Sequence, residues 1–286
     1  MPYSTHGLSA ETVALLTDAG LRPLDVESLA VRALEEDVDG GVDVTTVATV
    51  PMEQRGRLAL VARGGGVVAG LVVARAIFEV VCGDDMTCDV SVEEGSLVEL
   101  DTELMAVTSS THNLLRAERP ALNAVSHLSG IATATRAWVA AIADTDASVR
   151  DTRKTTPGLR GVEKYAVRAG GGVNHRMNLA DAALVKDNHV EASGGVGEAF
   201  RAVRRAFPEI PIEVEVDTLE QLDVAIDAGA DLILLDNFSV QEMAEAVRRT
   251  SGRALLEASG GLTLDRAAAV AATGVDYLAV GTLTHS

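Results

Sequence analysis

The sequence predicts an α/β protein in which a TIM-like α/β barrel, irregular or incomplete, follows a smaller α+β domain. Two observations predict the barrel. From residue 148 onward, short apolar strands alternate with helical patterns, as in a parallel sheet. No Gly-x-Gly-x-x-Gly turn interrupts these repeats, which favours a barrel over a dinucleotide-binding sheet. A third observation separates the first domain, because residues 57–107 show short strands divided by glycine and acidic turns.

The N-terminal domain is predicted to begin with a helix within residues 25–46, where apolar residues follow helical spacing before the loop DGGVDVTT. One further helix, AGLVVARAIFEVV, lies among the strands RLALVAR, GVVAG, MTCDVSV and SLVELDTELMAV. A long helical pattern begins near Thr111, and we expect Pro120 to kink it or to start a second helix. The domain boundary is placed near this proline, giving domains of residues 1–124 and 125–286.

The barrel is predicted to contain six strands, which are SVRDT, ALVKD, IEVEVD, DLILLD, ALLEA and DYLAVG. Helical patterns lie between most of them, in GEAFRAVRRAF, TLEQLDVAIDAG, SVQEMAEAVRRT and TLDRAAAVAATG. A complete TIM barrel has eight strands, so an incomplete or irregular barrel is expected.

Composition excludes several classes of function. The chain has 42 acidic and 24 basic residues and a net charge of −18, which argues against nucleic-acid and anionic-membrane partners. The two cysteines, Cys82 and Cys88, have no neighbouring His or Cys to complete a metal site, and they suit a reducing compartment. The N-terminus lacks the pattern of a signal peptide, and no apolar run is long enough to span a bilayer. We therefore expect a cytoplasmic protein.

Polar residues follow every predicted barrel strand, at the end where barrel enzymes carry their active sites. In IEVEVD, alternation directs Glu213, Glu215 and Asp217 to the face opposite the apolar residues, and hence into the barrel. Carboxylates in such a position require cations, and Glu215 with Asp236 on the next strand would suit Mg²⁺. The alternative is a solvated edge strand.

Basic residues are concentrated between residues 151 and 186, where seven Lys or Arg stand against three Asp or Glu. All three lysines of the chain, Lys154, Lys164 and Lys186, fall in this window. Arginine forks and lysine ammonium groups suit carboxylates and phosphates, so the window predicts a small ligand with several negative charges. The alternative is a salt-bridge network with the inward carboxylates. His175 and Arg176 follow a glycine-rich turn and are candidate ligand contacts.

A phosphate site is predicted at Ser259, Gly260 and Gly261, which lead into a helical pattern whose first turn has free backbone N–H groups. Gly281 and Thr282 supply the neighbouring loop. Barrel enzymes often hold a phosphate between their last loops, so the position supports this interpretation.

Long segments of the chain resemble the quinolinate phosphoribosyltransferases, and the likeness runs from about Leu34 almost to the C-terminus. They are ERPALNAVSHLSGIATAT, DTRKTTPGLR, EKYAVRAGGGVNHRMNLADAALVKDNH, EVEVDTLEQL, LILLDNF and LEASGGLTLDRAAAVAATGVDYLAVGTLTHS. The resemblance implies an N-terminal sandwich-like domain, an irregular α/β barrel and a homodimer or dimer-based oligomer. It also implies that quinolinate and phosphoribosyl pyrophosphate react to nicotinate mononucleotide, pyrophosphate and CO₂ on the route to NAD.

The resemblance also implies roles for individual residues. The two quinolinate carboxylates would be held by Arg153, His175, Arg176 and Lys186. Arg119 would reach the site of the neighbouring subunit, and Lys154 would meet the pyrophosphate. Glu215 and Asp236 would hold the ribose hydroxyls and Mg²⁺. The 5′-phosphate would be bound by Ser259, Gly260 and Gly281, with His285 nearby.

Two departures from the family pattern stand out: Val42 precedes Asp43 where glycine is usual, and relatives usually continue beyond the position of Ser286. Two alternatives of function remain open. One is a paralogue on the same scaffold, such as the ModD-like proteins or an enzyme that uses nicotinate. The other is a non-catalytic sensor of small anions.

Overall fold

The computed structural model describes residues 5–285 and divides the chain into two compact units. The first unit comprises Met1–Ala134 and Gly161–Gly170, and the second comprises Thr135–Arg160 and Gly171–Ser286. Among the described residues, no helix has the length and apolar character needed to cross a membrane.

The first unit is built from two small antiparallel sheets and several helices. Its strands are β1 (Arg55–Val61), β2 (Gly66–Val67), β3 (Thr87–Val90), β4 (Leu97–Val98) and β5 (Glu103–Ser110), paired in the orders β1-β5-β3 and β2-β4. Its helices are α1 (Ala10–Asp18), α2 (Pro23–Val38), α3 (Val44–Thr49), α4 (Leu71–Cys82), most of α5 (Thr111–Ala141) and α6 (Arg160–Ala169). Helix α4 packs against α1, α2 and β5, and nearly all of its side chains are buried.

Three features of the first unit differ from the sequence prediction. Helix α1 had not been predicted; the Ser9 hydroxyl caps its start by accepting from the backbone N–H of Thr12 at 3.3 Å, and the backbone N–H of Ser9 donates to Glu79 at 2.8 Å. The segment read as a loop contains α3, because the Asp43 carboxylate accepts from the backbone N–H groups of Thr45 and Thr46 and caps a short helix. Pro120 does not divide the long helical pattern, which forms the single helix α5.

Helix α6 groups with the first unit although it lies between two barrel strands in sequence. Its Arg168 donates to the backbone carbonyl of Ala19 at 2.6 Å, and its fully buried Glu163 lies 2.9 Å from His127 Nε2. The neighbouring Lys164 is also 0% exposed. Lys164 is therefore a buried residue of this helix, so not every basic residue of the window 151–186 is exposed.

The second unit contains the predicted βα repeats. Its strands are β6 (Ser148–Arg150), β7 (Ala183–Val185), β8 (Ile212–Val216), β9 (Leu232–Asp236), β10 (Leu255–Ser259) and β11 (Tyr277–Ala279). Its helices are α7 (Asp187–Ser193), α8 (Val196–Ala206), α9 (Leu219–Asp227), α10 (Val240–Thr250), α11 (Ala267–Ala271) and α12 (Thr282–His285). The six strands form one parallel sheet in the order β6-β11-β10-β9-β8-β7, so the prediction of six strands is confirmed.

The barrel is irregular because β6 and β7 do not pair, although they are consecutive in sequence. On its free side β6 instead makes an isolated parallel bridge, between Arg150 and Val173. The strands otherwise wind in sequence order, as in a TIM barrel. The predicted irregular α/β barrel is therefore confirmed.

Strand β8 is a central strand, because it pairs with β7 on one side and with β9 on the other. The alternative of a solvated edge strand is therefore wrong. Ile212, Val214 and Val216 are buried as predicted, and Glu213 on the opposite face is only 3% exposed.

A buried charged layer, formed by Arg150, His175, Glu213 and Glu257, lies inside the barrel. Arg150 donates to Glu257 at 2.6 Å, and His175 Nε2 lies 2.8 Å from Glu213 Oε2. The Oε1 atoms of Glu213 and Glu257 have no hydrogen-bond partner. Burial, reinforced by the nearby carboxylate of Glu213, raises the pKa of Glu257 to about 8 although Arg150 opposes the shift. Burial therefore favours the protonated form of Glu257.

The raised pKa of Glu257 makes stability depend on pH. Between the ordinary pKa of a glutamate and about 8, the folded protein binds one proton more than the unfolded chain at this position, so stability falls as pH rises. The variant Glu257→Gln cannot ionise and should lack this fall. We expect the wild-type protein to lose stability relative to Glu257→Gln between pH 5.5 and 8.5, with a slope of at most about 1.4 kcal/mol per pH unit. Denaturant unfolding of both proteins across this range measures the difference, and a difference independent of pH would contradict the expectation.

Candidate active site

A cavity of about 420 Å³ opens at the carboxyl ends of the barrel strands, within the second unit. All six strands contribute to it, directly or through the residues that follow them. Its lining consists of Thr152, Arg153, Lys154, His175, Arg176, Leu184, Lys186, Glu215, Leu234, Asp236, Glu257, Ser259 and Ala279. Eight of these are residues that the sequence singled out, namely Arg153, Lys154, His175, Arg176, Lys186, Glu215, Asp236 and Ser259.

One side of the cavity is cationic. Within the part of the chain that the structure describes, the Nε atoms of Arg153 and Arg176 are both buried and have no hydrogen-bond partner, while another nitrogen of Arg176 donates to the carbonyl of Ala182 at 3.0 Å. Burial, with added repulsion from Arg153, lowers the pKa of Arg176. Buried guanidinium donors without partners are costly. An anion bound between these two side chains would satisfy them.

His175 is held rigidly below this cationic side and is only 8% exposed. Its Nδ1 accepts from the backbone N–H of Arg176 at 2.7 Å, which places the ring proton of the neutral histidine on Nε2, toward Glu213. The Asp151 carboxylate accepts from the backbone N–H of His175 at 2.8 Å. The buried charged layer and Asp151 thus fix both the ring and the backbone at this position.

The opposite side of the cavity is acidic, with Glu215 and Asp236 at the ends of adjacent strands. Burial raises the pKa of both carboxyl groups; Asp236 adds to the shift of Glu215, and Asp217 adds to that of Asp236. Lys186 Nζ lies 3.4 Å from Glu215 Oε2 and opposes these shifts. The salt-bridge alternative is therefore realised in part, by this pair. The two half-buried, mutually repelling carboxylates remain suited to a divalent cation.

The predicted phosphate site is a glycine turn after β10. Gly260 and Gly261 have φ values of +89° and +56°, a region in which glycine carries no steric penalty. The turn does not lead directly into an α-helix as predicted; a 3₁₀ turn at Leu264–Arg266 precedes the short α11. Free backbone N–H groups are still available in such a turn.

Gly281, at the start of the neighbouring loop, lies close to two other predicted residues. A Cβ atom at this glycine would lie 3.0 Å from His285 Nε2 and 3.3 Å from Lys154 Cδ. The buried Thr284 hydroxyl donates to the backbone carbonyl of Lys154 at 2.7 Å, a contact that the sequence analysis had missed. Gly281, Lys154 and His285 are thus neighbours.

Arg119 is the remaining predicted site residue. It lies exposed on α5 in the first unit, and it is not among the residues that line the cavity.

Comparison with known proteins agrees with this arrangement. Residues 43–129 match the family described as quinolinate phosphoribosyl transferase, N-terminal domain, and residues 131–286 match its C-terminal domain. The nicotinate-nucleotide pyrophosphorylase [carboxylating] of Mycobacterium leprae is 54% identical over 259 residues, which are 89% of this chain and 91% of that protein. The probable enzyme of the same name from Bacillus subtilis is 39% identical, over 92% of this chain and 90% of that protein.

Solved structures agree with the fold as well. The crystal structure of NadC from Streptococcus pyogenes is 38% identical, covers 93% of both chains and superposes with a TM-score of 0.88. The nicotinate-nucleotide pyrophosphorylase structure from Francisella tularensis has a TM-score of 0.87 at 34% identity, over 92% of both chains. Two family matches that together span residues 43–286 with one gap, and relatives of this identity and coverage, show that the chain belongs to the quinolinate phosphoribosyltransferase family, the carboxylating nicotinate-nucleotide pyrophosphorylases.

Proposed function

We propose that this protein transfers the phosphoribosyl group of phosphoribosyl pyrophosphate to the ring nitrogen of quinolinate, with loss of CO₂. The products are nicotinate mononucleotide and pyrophosphate, and the reaction belongs to de novo NAD biosynthesis. The observation that carries the proposal is the lining of one cavity, which combines two buried arginine Nε donors with a pair of strand-end carboxylates. Such a site suits a dianionic acid on one side and a pentose with a metal-bound pyrophosphate on the other.

The acid binds on the cationic side. Quinolinate carries two adjacent carboxylates, and the free Nε donors of Arg153 and Arg176 supply charge-assisted hydrogen bonds to them. Lys186 completes this group, and His175, whose ring nitrogens contact Glu213 and the backbone N–H of Arg176, holds Arg176 in place. The ring nitrogen attacks as an unprotonated base, so the acid requires orientation more than it requires a proton acceptor.

The donor binds on the acidic side. As the bond from C1 of the ribose to pyrophosphate breaks, positive charge develops on the ribose and negative charge on the leaving group. The carboxylates of Glu215 and Asp236 contact the ribose hydroxyls and stabilise the first charge, and the exposed ammonium group of Lys154 stabilises the second. Glu215 and Asp236 would also provide oxygen ligands for Mg²⁺, which would neutralise charge on the pyrophosphate.

The 5′-phosphate is held by the two glycine loops. Ser259 offers its hydroxyl group, while Gly260 and Gly281 let the backbone approach closely, with His285 beside Gly281. The loss of CO₂ follows N-ribosylation, when the cationic pyridine ring can take up the electron pair of the broken bond.

Arg119 completes the site of a second subunit in a homodimer or dimer-based oligomer. Its exposure on α5 leaves its guanidinium group available for this contact. The active protein would then contain two equivalent sites, each with residues from both chains.

The proposed reaction is tested by incubating the purified protein with quinolinate, phosphoribosyl pyrophosphate and Mg²⁺, and with nicotinate in parallel. We expect CO₂ and nicotinate mononucleotide from quinolinate and no product from nicotinate, because the two arginines favour a diacid. Product from nicotinate alone would indicate the nicotinate-using alternative. Quinolinate binding without turnover would indicate an anion sensor.

Removal of the Lys154 ammonium group should depress turnover without unfolding the protein. We expect Lys154→Ala to lower kcat by a factor on the order of 10² or more, because the leaving pyrophosphate loses a compensating charge. Arg205→Ala, which removes an exposed cation from the last turn of α8, is the control. Near-normal turnover in Lys154→Ala, with an unchanged melting temperature in both variants, would remove Lys154 from the mechanism.

The role of Arg119 across subunits is tested with hybrid dimers. Arg119→Ala and Lys186→Ala should each be nearly inactive, and mixing them should restore about a quarter of the wild-type activity, because half of the randomly formed dimers are hybrids with one intact site each. Mixing Arg119→Ala with the double variant Arg119→Ala/Lys186→Ala is the control and should restore none. If subunit exchange is proven and activity does not return, Arg119 does not act across the interface.

A further inference from the structure

Asn237, directly after Asp236, has a backbone conformation that is unusual for a residue with a side chain. Its φ is +57°, in the left-handed region. Its backbone N–H donates to the carbonyl of Ser259 at 3.0 Å, which extends the pairing of β9 with β10 by one step. The residue therefore lies between the carboxylate assigned to the ribose and the loop assigned to the 5′-phosphate.

The side chain of Asn237 contacts Asp236 directly. Its Nδ2 donates to Asp236 Oδ2 at 2.7 Å. This bond restricts rotation of the carboxylate and engages one of its two oxygens, which leaves Oδ1 for a ligand.

The same side chain packs against the phosphate loop. A Cβ atom at Gly260 would lie 2.7 Å from Asn237 Cγ and 2.8 Å from its backbone nitrogen. No other residue type fits at Gly260, whose φ is +89°. The absence of a side chain at Gly260 is thus what allows the Asn237 amide to occupy the space between the loop and Asp236.

We propose that Asn237 is a positioning residue that orients the Asp236 carboxylate and fixes its spacing from the Ser259–Gly260 loop. The carboxylate and the loop then bind the same molecule of phosphoribosyl pyrophosphate. This inference rests on the proposed function. If Asn237 had only a conformational role, glycine would replace it without loss of activity, because asparagine is common at left-handed positions and glycine adopts them at least as readily. Asn237→Gly therefore keeps the backbone and removes only the amide.

The test compares Asn237→Gly, Asn237→Asp and the control Ser251→Gly. Ser251 is another residue with positive φ (+48°) in the same unit, at the C-terminus of α10, and it does not line the cavity. Four quantities are measured for each protein: the melting temperature, the Kd of quinolinate without metal, the Kd of phosphoribosyl pyrophosphate with Mg²⁺ by calorimetry, and kcat with both KM values.

For Asn237→Gly we expect an unchanged melting temperature and an unchanged quinolinate Kd. Donor affinity and kcat/KM for the donor should fall by about 10- to 100-fold, as is usual when a group that orients a ligand residue is lost. Asn237→Asp keeps the side-chain shape but replaces the amide donor with a second carboxylate, so donor binding should fall at least as far. Ser251→Gly should resemble the wild-type protein.

The inference is overturned if Asn237→Gly binds the donor with wild-type affinity, or if both Asn237 variants fail to fold. If only Asn237→Gly is destabilised, donor binding by Asn237→Asp becomes the test. Normal donor binding in that variant also overturns the inference. The proposed function fails separately, if the wild-type protein gives no product. In that case the effect of the Asn237 variants on donor binding still tests the role of Asn237. Absence of donor binding by the wild-type protein would overturn both.

Discussion

The buried charged layer is the constraint on which the rest of the second unit depends. Glu213 and Glu257 point into the barrel from β8 and β10, and two carboxylates in so dry a place are tolerated only with compensation. Arg150, from β6, supplies a compensating positive charge beside Glu257, and His175 supplies a hydrogen bond to Glu213. The layer thus ties three strands and the loop after Val173 into one arrangement directly beneath the cavity.

The period of a β-strand connects this layer with the chemistry above it. Glu213 and Glu215 share one face of β8, two residues apart, yet the first is buried within the layer and the second is half-buried at the cavity. One alternating pattern therefore produces a structural carboxylate and a ligand-binding carboxylate. The backbone of His175 and its ring are held from below, so that Arg153 and Arg176 are presented on a rigid base.

The net charge of the chain and the local charge on the cationic side of the cavity have opposite effects on an anionic ligand. A chain with a net charge of −18 repels polyanions at long range, so the cationic side of the cavity must attract its ligands over a short distance. Concentrating all three lysines and four arginines within 36 residues is one way to create such a local field. The burial of Lys164 shows that part of this concentration serves the packing of α6 instead.

Local pattern was enough to predict the six barrel strands, the inward face of β8 and the convergence of eight candidate residues on one cavity. Among the features that the sequence did not predict, α3 follows from a local cap at Asp43, whereas others depend on partners far away in the chain. The capped start of helix α1 also contacts Glu79, 70 residues later, and Arg150 pairs with Glu257 across 107 residues. The position of Asn237 in the motif LILLDNF carried no signal of its left-handed backbone, which follows from its bond to Ser259 and from the missing side chain at Gly260.

The grouping of α6 with the first unit gives the molecule an interleaved architecture. The chain leaves the barrel after Arg160, contributes one helix to the other unit, and returns at Gly171. Neither unit is therefore a continuous stretch of sequence, and a cut before Thr135 would leave α6 attached to the barrel without the rest of its own unit. Arg153 and Lys154 precede this excursion while His175 and Arg176 follow it, so the cationic half of the site is assembled only when the excursion has folded. A mutation, truncation or gene fusion that disturbs one unit will therefore also affect the other, and the two units are expected to evolve together.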